Sequence, residues 1–175
     1  MNEMKCCAVF GCSPMRSPWG FDEEDPGCRE MKLEMLQQIL AQRQTGATRF
    51  VVACGYGAGL YAGEMIQVLR EKDTDLELVS VIPWEEQANK WAPYLRERYF
   101  DLLAACSWVE MISPRETETC RREALEHCVQ EADVVLAVCD PAEESLAGEA
   151  VRYASELGRE VILIHPVSGE VTLKK

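Results

Sequence analysis

Three glycines at alternate positions carry the clearest signal for chemistry in this sequence. Gly55, Gly57 and Gly59 follow a short apolar run, residues 50–54, that is typical of a strand buried on both faces. Apolar residues then recur at helical spacing through Arg70, so the glycines occupy a strand-to-helix turn. A helix N-terminus offers unpaired N–H groups and a positive dipole end, and glycine lets another group approach closely. The stretch predicts either an anion cradle or a tight turn whose glycines serve packing alone.

Other candidate residues follow the ends of the remaining predicted strands. Ligands of open parallel sheets bind in the crevice outside the carboxyl ends of the strands. These ends contribute Gly11, Ser13, Trp84, Asp140 and Ser145 as candidate ligand-binding residues. We therefore expect them to border the same crevice as the three glycines.

Three charged candidates have competing interpretations. Arg16 lies on a long loop after the first predicted strand, where it could supply a mobile cation to a ligand. Glu64, on the second turn of the helix after the glycines, could reach the crevice, form a salt bridge between helices or face water. Asp140 could bind a ribose hydroxyl, although an Asp-Pro pair more often starts a turn.

The cysteines and histidines give little support for catalysis or metal binding. Cys12, Cys54 and Cys139 all fall at predicted strand ends, but no metal-binding spacing links them and buried cysteine is usually inert. His127 and His165 cannot be paired with a nucleophile from the sequence, which favours structural roles. We therefore predict reduced thiols, no metal site and no cofactor beyond the ligand.

The elements that position these residues alternate between strands and helices. Apolar runs predict six strands, at residues 5–11, 50–54, 76–82, 106–112, 133–139 and 160–164, with at most a short edge strand within 167–173. Helical spacing predicts helices at residues 26–44, 61–70, 85–105 with a new start at Pro93, 113–131 and 146–157. This order predicts one α/β domain over residues 1–175, Rossmann-like, with a mostly parallel sheet and helices on both faces.

Composition limits the possible partners. The formal net charge of −12 disfavours nucleic acid as a partner, because proteins that bind the phosphodiester backbone usually present a basic face. No apolar run approaches the roughly 20 residues that cross a bilayer, and no signal peptide is evident, so we expect a cytoplasmic protein. The sequence leaves open whether the chain forms a homo-oligomer.

The order of residues resembles the YpsA-like branch of the SLOG superfamily, which is Rossmann-like and includes the lonely-guy phosphoribohydrolases and the DNA-processing protein DprA. The likeness covers about residues 5–166, and its most specific part is the strand-Pro-aromatic segment at residues 78–84. The branch's pattern is also matched at the first-strand turn, residues 11–14, and at the late strand that ends in an acid, residues 133–140. The glycine turn matches at Gly57, Leu60, Tyr61 and Glu64, and the Trp and Tyr spacing matches at Trp91 and Tyr99.

The resemblance implies a nucleotide-derived small ligand, with departures at the positions used for catalysis. Ser13 stands at the basic position of the first turn, Gly59 replaces an acid, and residues 143–146 (Glu-Glu-Ser-Leu) replace a Gly-Gly-Thr-like phosphate turn. Only Glu149 matches the acid that follows that turn in lonely-guy enzymes. We therefore expect binding or sensing of a nucleotide-derived molecule, with hydrolysis of a nucleoside monophosphate's N-glycosidic bond as the alternative.

Overall fold

The computed structural model describes residues 4–174. In this part of the chain seven short strands form one sheet, and amphipathic segments form the five α-helices packed against it. The strands are β1 (Lys5–Gly11), β2 (Ala47–Ala53), β3 (Glu77–Trp84), β4 (Trp108–Ser113), β5 (Val134–Val138), β6 (Glu160–Ile164) and β7 (Val171–Lys174). The helices are α1 (Pro26–Gln44), α2 (Ala58–Arg70), α3 (Pro93–Ala105), α4 (Cys120–Glu131) and α5 (Leu146–Glu156).

The sheet has the order β4-β3-β2-β1-β5-β6-β7. Every pairing is parallel except the last, in which β7 runs antiparallel to β6. β2, β3 and β4 are added on one side of β1, and β5, β6 and β7 on the other side. The loops after β1 and β5 therefore diverge at the carboxyl edge of the sheet. Such a switch point is where α/β sheets of this type leave a crevice for ligands.

Two hydrophobic cores cover the two faces of the sheet. One contains α1, α2 and α3, with Met35, Leu60 and Tyr99 among its buried side chains. The other contains α4 and α5, with small residues such as Ala124 and Ala150 against the strands. The prediction of a mostly parallel Rossmann-like sheet with helices on both faces is confirmed. Nine residues from the predicted apolar runs are buried, each at most 4% exposed: Val51, Val52, Val79, Val81, Val135, Leu136, Ala137, Ile162 and Leu163.

Several boundaries differ from the prediction, and turn chemistry explains the largest difference. Ser113 and Pro114 do not start a helix, because α4 begins only at Cys120. Ser113 ends β4, and its hydroxyl donates to the Arg115 carbonyl at 2.6 Å, which fixes a turn. Pro83 does not end β3, because it lies two positions beyond Val81, the last residue paired with β2, and costs no hydrogen bond with that strand.

One further segment, residues 85–91, was assigned incorrectly from periodicity. Residues 85–91 form turns, and the helix begins at Pro93 as the proline suggested. The predicted short edge strand is β7, which makes the sheet seven-stranded. Within the described residues, none of the helices combines the length and the apolar character that a membrane crossing requires.

Candidate functional site

A cleft of about 770 Å³ opens at the carboxyl edge of the sheet, beside the switch point. Its walls come from the loops after β1, β2 and β3 and from the first turns of α2, α3, α4 and α5. Seven of the ten residues singled out from the sequence line this cleft, namely Gly11, Ser13, Arg16, Gly55, Gly59, Trp84 and Ser145. The other three, Gly57, Glu64 and Asp140, lie outside its lining.

The glycine turn divides into positions with different physical roles. A Cβ at Gly59 would lie 1.7 Å from the Ala53 carbonyl oxygen, so this glycine lets α2 start directly against β2. Gly57 directly precedes α2, and its φ of +111° is one that residues with a side chain rarely adopt. A Cβ at Gly55 would meet no atom within 4 Å. Gly55 therefore has no packing requirement of its own, and its open side belongs to the cleft.

The turn after β1 closes against α2 and β5. A Cβ at Gly11 would lie 2.6 Å from the Ala58 Cβ and 3.0 Å from the Val138 carbonyl oxygen, so a side chain there would separate these elements. Ser13 caps the short 3-10 turn 14–16, and its hydroxyl accepts from the Met15 N–H at 3.4 Å. The turn places Arg16 at the cleft.

Arg16 shares its charge with an acid at the rim. Its Nη1 lies 3.3 Å from Oε2 of Glu143, and both side chains are about half-exposed. Exposed pairs of this kind are worth little, so the guanidinium can exchange this partner for a ligand at small cost. Glu143 and Glu144, the acids that replace the family's phosphate turn, do not line the cleft.

A second arginine lies over a cleft tryptophan. The Arg121 guanidinium sits 4.6 Å from the ring centroid of Trp84, a cation–π contact between the first turn of α4 and the end of β3. Its Nη1 also lies 3.1 Å from the exposed Glu116 carboxylate. The next residue, Arg122, points elsewhere and pairs with Glu149 at 3.2 Å.

The turns after β3 and the first turn of α3 bring a lysine and two aromatic side chains to the cleft. Gln87 anchors the turns, because its Nε2 donates to the Cys54 carbonyl at 2.6 Å and to the Tyr99 hydroxyl at 3.1 Å. Lys90 and Trp91 line the cleft from the turns, and Tyr94 lines it from α3. Among the described residues Lys90 forms no ion pair.

Phe21 and Tyr56 add an aromatic wall from two other loops. Their rings stack with centroids 4.8 Å apart and planes 22° from parallel. Tyr56 also meets the Trp91 ring edge-on at 6.4 Å. Rings from the loops after β1, β2 and β3 therefore form one continuous surface at the cleft.

Glu64 takes the salt-bridge alternative. Its two oxygens accept from Arg98 Nη2 at 2.6 Å and from Arg98 Nε at 3.1 Å, which ties α2 to α3. The same arginine binds Glu23 of the loop before α1. Held by this fork, Glu64 does not line the cleft.

Asp140 takes the turn alternative. Its Oδ1 accepts from the Ala142 N–H at 2.9 Å, and its Oδ2 lies 3.4 Å from His165 Nε2. Ser145, five residues on, caps α5 by accepting from the Gly148 N–H at 3.0 Å. The N-terminus of α5 thus lines the cleft, whereas Asp140 does not.

The cysteines near the cleft are poor nucleophiles. Burial raises the pKa of the Cys12 thiol, and it raises the pKa of Cys54 and of Cys139 to about 12. Cys12 and Cys54 line the cleft and are protonated at neutral pH. Among residues 4–174 no cluster of three or more His, Cys, Asp or Glu side chains could hold a metal ion.

Comparison with known proteins covers almost all of this fold. The model of the YpsA family, described as "YspA SLOG family", matches residues 9–164. The chain belongs to the YpsA family of SLOG proteins. The match begins within β1 and ends with β6, so it includes every strand whose carboxyl end borders the cleft.

Several bacterial members of this family, the UPF0398 proteins, align with most of the chain. One from Halalkalibacterium halodurans is 30% identical over 122 residues, which cover 69% of this chain and 65% of that protein. Another from Bacillus pumilus is 25% identical over 140 residues, 79% of this chain and 75% of the relative. A third, from Bacillus licheniformis, is 26% identical over 155 residues, 87% and 82% of the two chains.

Sequence reasoning missed several cleft residues, and only some of them carried a usable signal. Tyr56 lies between two glycines of the predicted cradle, and Trp91 belongs to the spacing that the YpsA branch shares. Lys90 lies in residues 85–91, which helical spacing assigns to a helix, so nothing in the sequence places it at the carboxyl edge of the sheet. Phe21 lies on the long loop, and nothing in the sequence shows that its ring stacks on Tyr56.

Proposed function

We propose that this YpsA-family protein binds a small anionic molecule derived from a nucleotide in the cleft. The observation that carries the proposal is the charge of the lining. The chain has 30 acidic and 18 basic residues, yet three cations and, among the described residues, no carboxylate line the cleft. The cations are Arg16, Lys90 and Arg121. A cleft that is lined by cations and not by carboxylates, in a protein with a negative net charge, favours a negative ligand.

The rest of the lining suits the two other parts of a nucleotide. Among the described residues, the N–H groups of Ala58 and Gly59 in the first turn of α2 have no hydrogen-bond partner. The open face of Gly55 leaves room for phosphate oxygens to approach them. Trp84 and the wall formed by Phe21, Tyr56 and Trp91 offer flat surfaces for a base. Stacking of a base on such rings contributes about 1–3 kcal/mol per base.

Binding is favoured over N-glycosidic hydrolysis by the positions of the acids. Hydrolysis needs a carboxylate within reach of the reacting bond. Glu64 and Glu149, the two acids that the resemblance offers for this role, pair with Arg98 and Arg122 outside the lining. The cleft therefore supports recognition of the ligand better than its cleavage.

The experiment is a titration of tryptophan fluorescence with AMP, ADP-ribose and NAD, since Trp84 and Trp91 line the cleft. Arg121→Gln removes a cleft cation, and Arg122→Gln is its matched control one residue away. Loss of a charge-assisted contact should weaken binding by about tenfold or more in Arg121→Gln and leave Arg122→Gln unchanged.

Equal affinities in the two variants would contradict the assignment of the cleft. Release of free adenine from AMP by the wild-type protein would instead favour the hydrolase. Both outcomes can be read from the same incubations, by fluorescence and by chromatography of the products.

A further inference from the structure

The loop between β1 and α1, residues 12–25, contributes five residues to the cleft but is held by contacts outside it. Arg16 and Phe21 are two of these five residues. The backbone hydrogen bonds within residues 13–25 each join residues three apart, so they form local turns and do not tie the loop to the sheet or to the helices. Something else must fix the positions of these two side chains.

Glu23 makes the strongest contacts between this loop and the rest of the fold. Its Oε2 accepts from Arg98 Nη1 at 2.6 Å, and its Oε1 accepts from Arg98 Nη2 at 3.0 Å and from Lys32 Nζ at 2.6 Å. The Glu23 side chain is only 18% exposed. Arg98 is held in turn by Glu64, so one arginine fastens the loop to both α2 and α3.

A second line of contacts leads from Glu23 back to Phe21. Lys32, which binds Glu23, lies 4.2 Å above the centroid of the Tyr61 ring. The Tyr61 hydroxyl lies 3.3 Å from the Tyr56 hydroxyl, and the Tyr56 ring stacks on Phe21. The ion pairs and the aromatic wall of the cleft are therefore parts of one connected group.

The neighbouring acids do not play this role. Asp22 and Asp25 accept hydrogen bonds from N–H groups two residues on, at Glu24 and Gly27. Glu24 pairs with Arg29, and its side chain is 81% exposed. Burial acts to raise the pKa of the Glu23 carboxyl, but its hydrogen bonds from Arg98 and Lys32 hold it below the ordinary value.

We propose that Glu23 is a positioning residue: its contacts with Arg98 and Lys32 latch the 12–25 loop onto the fold and thereby hold Phe21 and Arg16 at the cleft. Glu23 itself does not line the cleft. The loop part of this proposal needs no ligand, whereas its consequence for affinity rests on the proposed function.

The test compares Glu23→Gln with Glu24→Gln in the ligand-free protein. Amide hydrogen exchange and the rate of tryptic cleavage after Arg16 report opening of the loop. Glu23→Gln should raise both at residues 12–25 by about tenfold or more while β2 and β5 exchange as in the wild type, because the latch loses its charge-assisted bonds. Glu24→Gln should match the wild type.

The outcomes separate the latch from the ligand. If Glu23→Gln exchanges in the loop as slowly as Glu24→Gln, or if exchange rises equally throughout the fold, the latch is wrong. Loop opening confined to residues 12–25, together with ADP-ribose affinity reduced by about tenfold, supports the whole proposal. Loop opening in a protein whose wild type does not bind ADP-ribose supports the latch and counts against the proposed function.

Discussion

Replacement of Gly59 by alanine should destabilise the fold far more than the same change at Gly55. The Gly59 Cβ would lie 1.7 Å from the Ala53 carbonyl oxygen and 2.8 Å from its carbon. Both partners are backbone, so neither can rotate away, and the start of α2 must retreat from β2 by roughly 1.5 Å to restore ordinary contact.

The cost follows from what that retreat disrupts. Leu60 and Ile66 of α2 are fully buried, and separation of the helix from the sheet loosens their packing as well. Overpacking of a core costs about 1–3 kcal/mol, and the backbone clash puts Gly59→Ala at the upper end, about 3 kcal/mol. For a chain of this size that lowers Tm by about 6–12 °C.

The control is Gly55→Ala, whose added methyl group would meet no atom within 4 Å. We expect its free energy of unfolding to lie within about 0.5 kcal/mol of the wild type. Urea unfolding, monitored by circular dichroism, measures the free energy of unfolding of both variants. The comparison requires that this free energy depend on urea concentration with the same slope in both. If Gly59→Ala is as stable as Gly55→Ala, the packing role assigned to Gly59 is refuted.

Two further predictions concern packing and buried thiols. Gly63→Ala should cost less than half as much as Gly59→Ala in the same assay, because its Cβ would meet the flexible Leu102 side chain at 2.5 Å; an equal cost would contradict this. Burial raises the pKa of Cys54 from 9.0 to about 12, so the folded state retains this proton and stability is lost as pH rises from about 9 towards 12. At pH 10 a thiol with this pKa lowers the free energy of unfolding by about 1.4 kcal/mol. Cys54→Ala should therefore reduce the fall in the urea midpoint between pH 8.5 and 10. An unchanged fall would show that this thiol does not cause it.

The parts of the fold that could be predicted are those set by local chemistry. The apolar run of β6 and the residues that begin and end α1 gave correct bounds, because buried strands and capped helices leave direct signals in sequence. Asp25 caps α1, Pro26 begins it, and Gly46 follows its end. The start of α4 could not be predicted, because the turn that Ser113 makes with Arg115 uses the same residue types as a helix cap.

The site was predictable to the extent that backbone topology determines it. Parallel strands bring Gly11, Gly55 and Trp84 to one edge, and the sequence placed them there. Side-chain partners from distant segments could not be foreseen. The fork between Glu64 and Arg98 joins residues 34 positions apart, and nothing in either segment shows that the carboxylate turns away from the cleft.

The most direct test of the central proposal, an anion-binding cleft, is a thermal-shift comparison of adenosine with AMP, ADP-ribose and NAD. A ligand that binds only the native state at a hundred times its Kd stabilises by about 2.7 kcal/mol. We expect at least one phosphate-bearing compound to raise Tm by several degrees and adenosine at the same concentration to raise it much less. No shift with any phosphate-bearing compound, or an equal shift with adenosine, would contradict it.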